Sequence, residues 1–207
     1  MPSYSIKTLT APGMEPVTVS NAKAQMRLTI PADDSLVALL ITACREHAEN
    51  LTRRAFVDQV IQVTYDGFPK LGKRIELPRP PLTAVNSITY LDLNGVQQTL
   101  DPSQYIVHND SDLMPAYITP PANTSTWPDT LNEVGGFGCV QINCEVGWPI
   151  VNGAPSTPLP IQQWIMVRVA TLYEQREGLY FAPGVAPAIP YAFIDGLLDK
   201  YRVPEVA

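Results

Sequence analysis

The chain has 207 residues, the length of one domain or of one domain carrying a substantial insertion. It holds 21 prolines and 12 glycines, and 16% of its residues are charged against a usual ~25%, which excludes a coiled coil, a collagen-like chain and an acidic disordered tail. With 14 basic against 20 acidic residues the net charge is −6, the wrong sign for a groove that grips nucleic acid by neutralising phosphates.

The first ordered piece is expected at Ser20, an N-cap after Pro16-Val17-Thr18-Val19, opening a short helix over Asn21 to Leu28 with Ala22 and Met26 inward. Either Asp33 or Asp34 can cap a second helix over residues 35–52. Its apolar stripe reads Leu36, Leu40, Ala43, His47 and Leu51, widened by Leu39. Arg53 and Arg54 follow at the helix C-terminus, where positive charge suits the dipole.

From Phe56 the period changes to two. Val57, Ile61, Val63 and Tyr65 alternate with Asp58, Gln62, Thr64 and Asp66, the signature of a half-buried strand. Ile75 to Leu77 is a shorter strand stopped by Pro78-Arg79-Pro80-Pro81. Val85 to Leu91 and Val96 to Leu100 flank Asn94-Gly95 and read as a hairpin. Tyr105 to Val107 adds a strand, and residues 109–138, without period, read as long surface loops. Val140, Ile142, Cys144 and Val146 alternate strictly with polar residues up to Gly147-Trp148-Pro149.

A third helix follows Pro160, with Ile161, Trp164, Ile165, Val169, Leu172 and Tyr173 as its stripe and Gly178 as its stop. A proline-marked linker over 182–190 leads to an amphipathic segment, Tyr191 to Tyr201. Consecutive strands between terminal helices make an α+β fold: a helical frame from the N- and C-terminal parts, with an inserted antiparallel β-rich region. The boundaries are residues 1–55 for the N-terminal helical part and 56–150 for the insertion. Residues 151–180 complete the frame, and 181–207 form a linker and C-terminal segment. The helices near 35–52 and 161–177 are expected to pack together.

Chemistry-bearing patterns are few. Cys44 and His47 lie at i and i+3 on one helix and form the one candidate nucleophile pair; a small apolar thiol beside a partly buried histidine is the simpler reading. Cys139 and Cys144 are five apart, on opposite strand faces, and no CxxC pair exists to hold zinc. Gly135-Gly136-Phe137-Gly138 precedes a strand rather than a helix, so it is not placed to cradle phosphate. The aspartates 92, 101, 110, 112 and 129 lack calcium-loop spacing. Trp164 reads as core, while Trp127 and Trp148 anchor loops. Arg79 and Arg53-Arg54 form no basic patch. No catalytic residue, metal or cofactor is expected. An odd count of 3 cysteines without framework spacing suits reduced intracellular thiols. No apolar run reaches the ~18 residues of a membrane span, and Met1 to Lys7 lacks the features of a signal peptide.

Several stretches, taken in order, carry a resemblance. They are Pro16 to Lys23 leading to Leu28, Asp33-Asp34-Ser35-Leu36, Ala48 to Phe56, Leu77 to Leu82, Val85 to Asp92 with Asn94-Gly95, and Tyr105. The Gly147 turn, Leu172 to Glu177 and Leu197 to Arg202 complete the set. In this order the chain resembles the phage head–tail connector (adaptor) proteins of the gp6-like group that carries a β-rich insertion. The resemblance implies a non-enzymatic virion protein of the neck, made in the host bacterial cytoplasm. Such subunits form a homo-oligomeric ring, usually a dodecamer, under the portal protein, and offer a platform to a head-closure or tail protein. DNA passes through the channel without sequence-specific binding, and no membrane is involved. The C-terminal segment is the candidate for portal docking, with Phe193, Leu197, Leu198, Tyr201 and Arg202 as its contacts. The alternatives are another neck or tail module, a head-closure or tail-terminator protein, and a small cysteine hydrolase built on Cys44 and His47.

Overall fold

A computed structural model describes residues 4–122, 126–131, 138–175 and 191–204, with the side chains of 191–193 left aside. The chain is α+β, with helices and antiparallel sheets around two apolar cores.

Strict alternation makes the middle of the sheet. β2 (Gln59–Tyr65), β4 (Leu82–Leu91) and β8 (Val140–Val146) lie side by side with β8 central. Ile61, Val63 and Tyr65 pair in register with Cys144, Ile142 and Val140, and all six side chains are buried. The opposite face is neutral and polar. There Gln62 donates to the amide oxygens of Gln141 (3.3 Å) and Asn143 (3.2 Å), and Asn143 donates to Ser87 at 3.0 Å.

Two further strands, β1 (Tyr4–Thr10) and β5 (Gln97–Thr99), complete the five-stranded order β1-β2-β8-β4-β5. β5 returns from the Asn94-Gly95 turn, as the sequence predicts. β1 is a correction, because the first ordered element is this strand and not a helix at Ser20. Tyr4, Ile6 and Thr8 face the same side as their partners Tyr65, Val63 and Ile61, but little core lies beneath them and the whole strand is exposed.

A second sheet, β3-β7-β6, covers the core side: β3 (Ile75–Glu76), β6 (Ile106–His108) and β7 (Tyr117–Thr119). β7 corrects the reading of 109–138 as loop. Its one fully buried residue, Ile118, sits in a run too short to show a period. Trp127 anchors its loop as expected, stacked on Phe68 at 5.0 Å and donating to the Lys73 carbonyl at 2.8 Å. A small hairpin, β9 (Ile150–Val151) and β10 (Ala154–Pro155), turns on Asn152-Gly153.

The helices form the other layer. α1 (Val19–Met26) is capped by Thr18, whose hydroxyl accepts the Asn21 amide at 3.1 Å, so the cap lies two residues before Ser20. α2 spans Asp34–Thr52, α3 Leu159–Glu174 and α4 Tyr191–Asp199. α2 packs on α3 as expected, but through a different stripe. Val37, Ile41, Cys44, Ala48 and Thr52 are buried, one residue on from the predicted set, while Ala43, His47, Leu51 and Leu39 are exposed. The first turns of α2 are apolar nearly all round, so periodicity alone left the choice open. Leu39 points outward and Leu36 is half-buried. On α3, Ile161, Trp164, Ile165 and Val169 are buried, Tyr173 is half-buried and Leu172 is exposed; Gly178 lies outside the described residues.

Gly147 joins the layers. Its φ is +105°, and a Cβ there would stand 2.2 Å from the Val57 carbonyl oxygen. Gly147→Ala is therefore expected to cost about 2 kcal/mol or more, read as a Tm lower by several degrees. Gly13→Ala, with open space around it, should leave Tm unchanged, and equal melting of the two variants would refute the account.

Candidate interaction surfaces

The residues after α2 are cationic, and the fold turns them inward. Arg53 takes the left-handed C-cap conformation, which throws Arg54 under the chain. Arg54 is fully buried and donates to three carbonyls, those of Tyr201, Leu113 and Asp112, the last at 2.7 Å. Burial pushes its pKa down to about 10, with Asp112 and Tyr201 opposing the shift, so it stays protonated at neutral pH. Arg79 donates to the carbonyls of Glu49 (3.0 Å) and Arg54 (3.3 Å) and to the Asn50 side chain (2.9 Å). Glu49 in turn accepts from the Phe56 amide at 2.7 Å and from Arg45 at 2.8 Å. Burial raises the Glu49 pKa, against the pull of these donors.

α4 docks on the same seam. Asp195 accepts from the Trp164 indole at 3.0 Å and from Arg168 at 2.7 Å, and the Val203 amide reaches the Thr52 carbonyl at 3.0 Å. Leu198 is fully buried, Leu197 is half-buried against the helical core, and Tyr201 meets the Trp148 edge at 6.1 Å. Arg202 is solvent-facing, 3.3 Å from Asp199. The Phe193 side chain lies outside the described residues. Of the residues assigned to docking by sequence, Leu198 and Tyr201 are thus occupied within their own subunit, and Arg202 faces outward.

Cys44 and His47 are not brought together as a nucleophile pair. The thiol sits in the helical core, where burial pushes its pKa up to about 11, while the exposed His47 stacks on Trp164 at 6.1 Å. Activation requires the opposite shift. Cys144 is pushed by burial up to about 12. Among the described residues no three His, Cys, Asp or Glu side chains gather to hold a metal, and no helix is long and apolar enough to cross a membrane. Most of the Gly135–Gly138 loop lies outside the described residues.

What sequence reasoning missed is a groove of about 760 Å³ lined mainly by residues 73–80, to which β1 contributes Tyr4. Tyr4, Tyr65, Ile75 and several prolines wall it, and Arg53, Lys73, Arg74 and Arg79 stand around it against one acid, Glu76. Arg74 pairs with Glu76 at 2.6 Å and lies over the Tyr117 ring. The four cations come from two loops far apart in the chain, so no linear cluster announces them.

No protein-family model matches the chain, and no curated protein does. Solved structures match it over nearly its full length. A chain of a structure described as the virion of a native gene transfer agent (GTA) particle is 19% identical, with a TM-score of 0.76 over 98% of this chain and 97% of that one. Chains from the neck of an empty GTA particle computed with C6 symmetry and from the neck of a native GTA particle computed with C12 symmetry are each 18% identical, with TM-scores of 0.75 and 0.69 over the same shares. At these identities the likeness establishes a shared fold.

Arg54→Met should leave three buried carbonyls short of a donor and cost about 3 kcal/mol. It should also speed amide exchange at Val203 and in α4 before the sheet is affected; uniform exchange across the protein would count against the seam. All three thiols should resist a thiol reagent at pH 8 in the native state and react once guanidinium unfolds the chain. Rapid native modification of Cys44 would show instead an accessible, activated thiol at that position.

Proposed function

We propose that the chain is a structural neck protein of a tailed phage-like particle, an adaptor that forms a ring under the portal. The observation that carries the proposal is the shared fold over 98% of the chain with neck chains of GTA particles, whose structures were computed with C6 and C12 symmetry. The ordered sequence stretches that resemble adaptors support the same reading independently of the fold. Two closed helical and sheet cores, and a Cys44 thiol held protonated, suit a structural role better than a catalytic one.

The helical frame favours an adaptor over a head-closure or tail-terminator protein, for which mostly strand would be expected. A net charge of −6 suits a channel through which DNA slides without sticking, since phosphate contacts need cations. Portal docking is proposed for the outward side of the C-terminal segment around Arg202, because Leu198 and Tyr201 hold α4 to its own body. The ring number proposed is twelve, with the portal above and a head-closure or tail protein below. The division into a helical frame and a β-rich insertion at 56–150 is retained, with β1 as the N-terminal part's contribution to the sheet.

Electron microscopy of portal-bearing heads, with and without the purified chain, tests the reading. A ring of added density at the portal vertex is expected, and bare vertices at saturating protein would overturn it. The double variant Lys200→Glu/Arg202→Glu should weaken portal binding at least tenfold with Tm unchanged. Removing the whole of α4 is a poor test, because the deletion opens the helical core.

A further inference from the structure

Among the described residues, five non-glycine positions take left-handed backbone, and four of them have a reason within the subunit. Arg27 and Arg53 close helices, their amides donating to the Ala24 and Glu49 carbonyls. Arg79 is turned into the seam, where its side chain meets Glu49, Asn50 and Arg54. Asn152 opens the two-residue β9–β10 turn together with Gly153. Leu71, at φ +62° and ψ +32° in the turn Lys70–Gly72, has none of these reasons. Leucine is disfavoured in that conformation by its Cβ, and glycine or asparagine would hold the same turn more easily. Yet the position carries the most exposed large apolar side chain of the described residues, at 89%. Backbone strain and apolar surface kept at one residue point to a contact made outside the subunit.

The turn stands at the rim of the groove. Pro69 before it and Lys73 after it line that groove, as do Val203 and Pro204, directly beyond Arg202. Leu71 is therefore continuous with the C-terminal surface already proposed to meet the portal. We infer that Leu71 is a second portal anchor, a side chain that enters an apolar pocket of the portal edged by carboxylates. The inference rests on the neck reading and adds a contact to its portal surface. The apolar pocket follows from the leucine, and the acidic edge from Lys70 and Lys73 on either side of it. Arg74, held by Glu76, and Arg79, bonded to backbone carbonyls, are not needed. A turn that already fixes the leucine outward leaves little backbone to order on binding.

Binding of full-length variants to portal-bearing heads, with thermal melting alongside, tests the anchor. Leu71→Gly should weaken binding at least tenfold while Tm stays level or rises, since glycine relieves the backbone. Leu71→Met should bind as the unaltered chain does. Lys73→Glu should weaken binding several-fold at low salt and less at high salt. Unimpaired binding by Leu71→Gly, or a Tm lowered by several degrees, overturns the anchor; unimpaired binding by Lys73→Glu at low salt overturns the acidic edge. Solution multimers of the free chain that vanish with Leu71→Gly would place the anchor between copies and overturn the portal assignment. The two readings fail distinguishably. Bare vertices with the unaltered chain refute the neck role and the portal contact with it, whereas full rings of Leu71→Gly refute the contact alone.

Discussion

The buried guanidinium of Arg54 is the point on which the two halves of the molecule depend. Removing a cation from water costs several kcal/mol unless its donors are met, and here they are met by backbone rather than by a carboxylate. Carbonyls from the Asp112–Leu113 loop and from the end of α4 are thereby pinned to the end of α2. A lysine could not replace it, since three fixed acceptors demand a planar fork of donors. Arg79 adds the proline loop before β4 to the same point, and the Arg45–Glu49 pair locks α2 beneath it. The seam fixes how the helical layer sits on the sheet with few apolar contacts between the two cores.

That arrangement explains why the termini are sewn in crosswise. The N-terminal strand β1 joins the sheet although the rest of its segment is helical, and the C-terminal residues return to the end of α2. Each core on its own is modest, and such stitches raise the cooperativity between them. The uncharged amide row on the outer sheet face, Gln62, Gln141 and Asn143, satisfies itself and makes no demand for a partner.

Much of the fold was legible because its signals are local. β2 and β8 alternate strictly, the β4–β5 turn carries Asn-Gly, and α3 has one clear stripe. What failed depended on distant partners. The stripe on α2 was displaced by one residue because Leu36 to Ile41 is apolar on every side, and the choice belongs to packing against α3 across the interface. β1 owes its structure to pairing with β2, not to burial, so it leaves no apolar pattern to read. The interaction surfaces were the least legible. Leu198 and Tyr201 have the composition of anchors, and sequence cannot say whose groove they fill. Arg54 and Arg79 look like a helix end and a proline loop until the fold brings them together at one seam.

Net charge hides distribution, and here the distribution matters more. A balance of −6 describes an acidic chain, yet four of its 14 basic residues line one groove. Arg53 comes from the end of α2 and the other three from the segment between β2 and β4, so a locally cationic surface on an acidic chain is made by the fold and is invisible to the net charge.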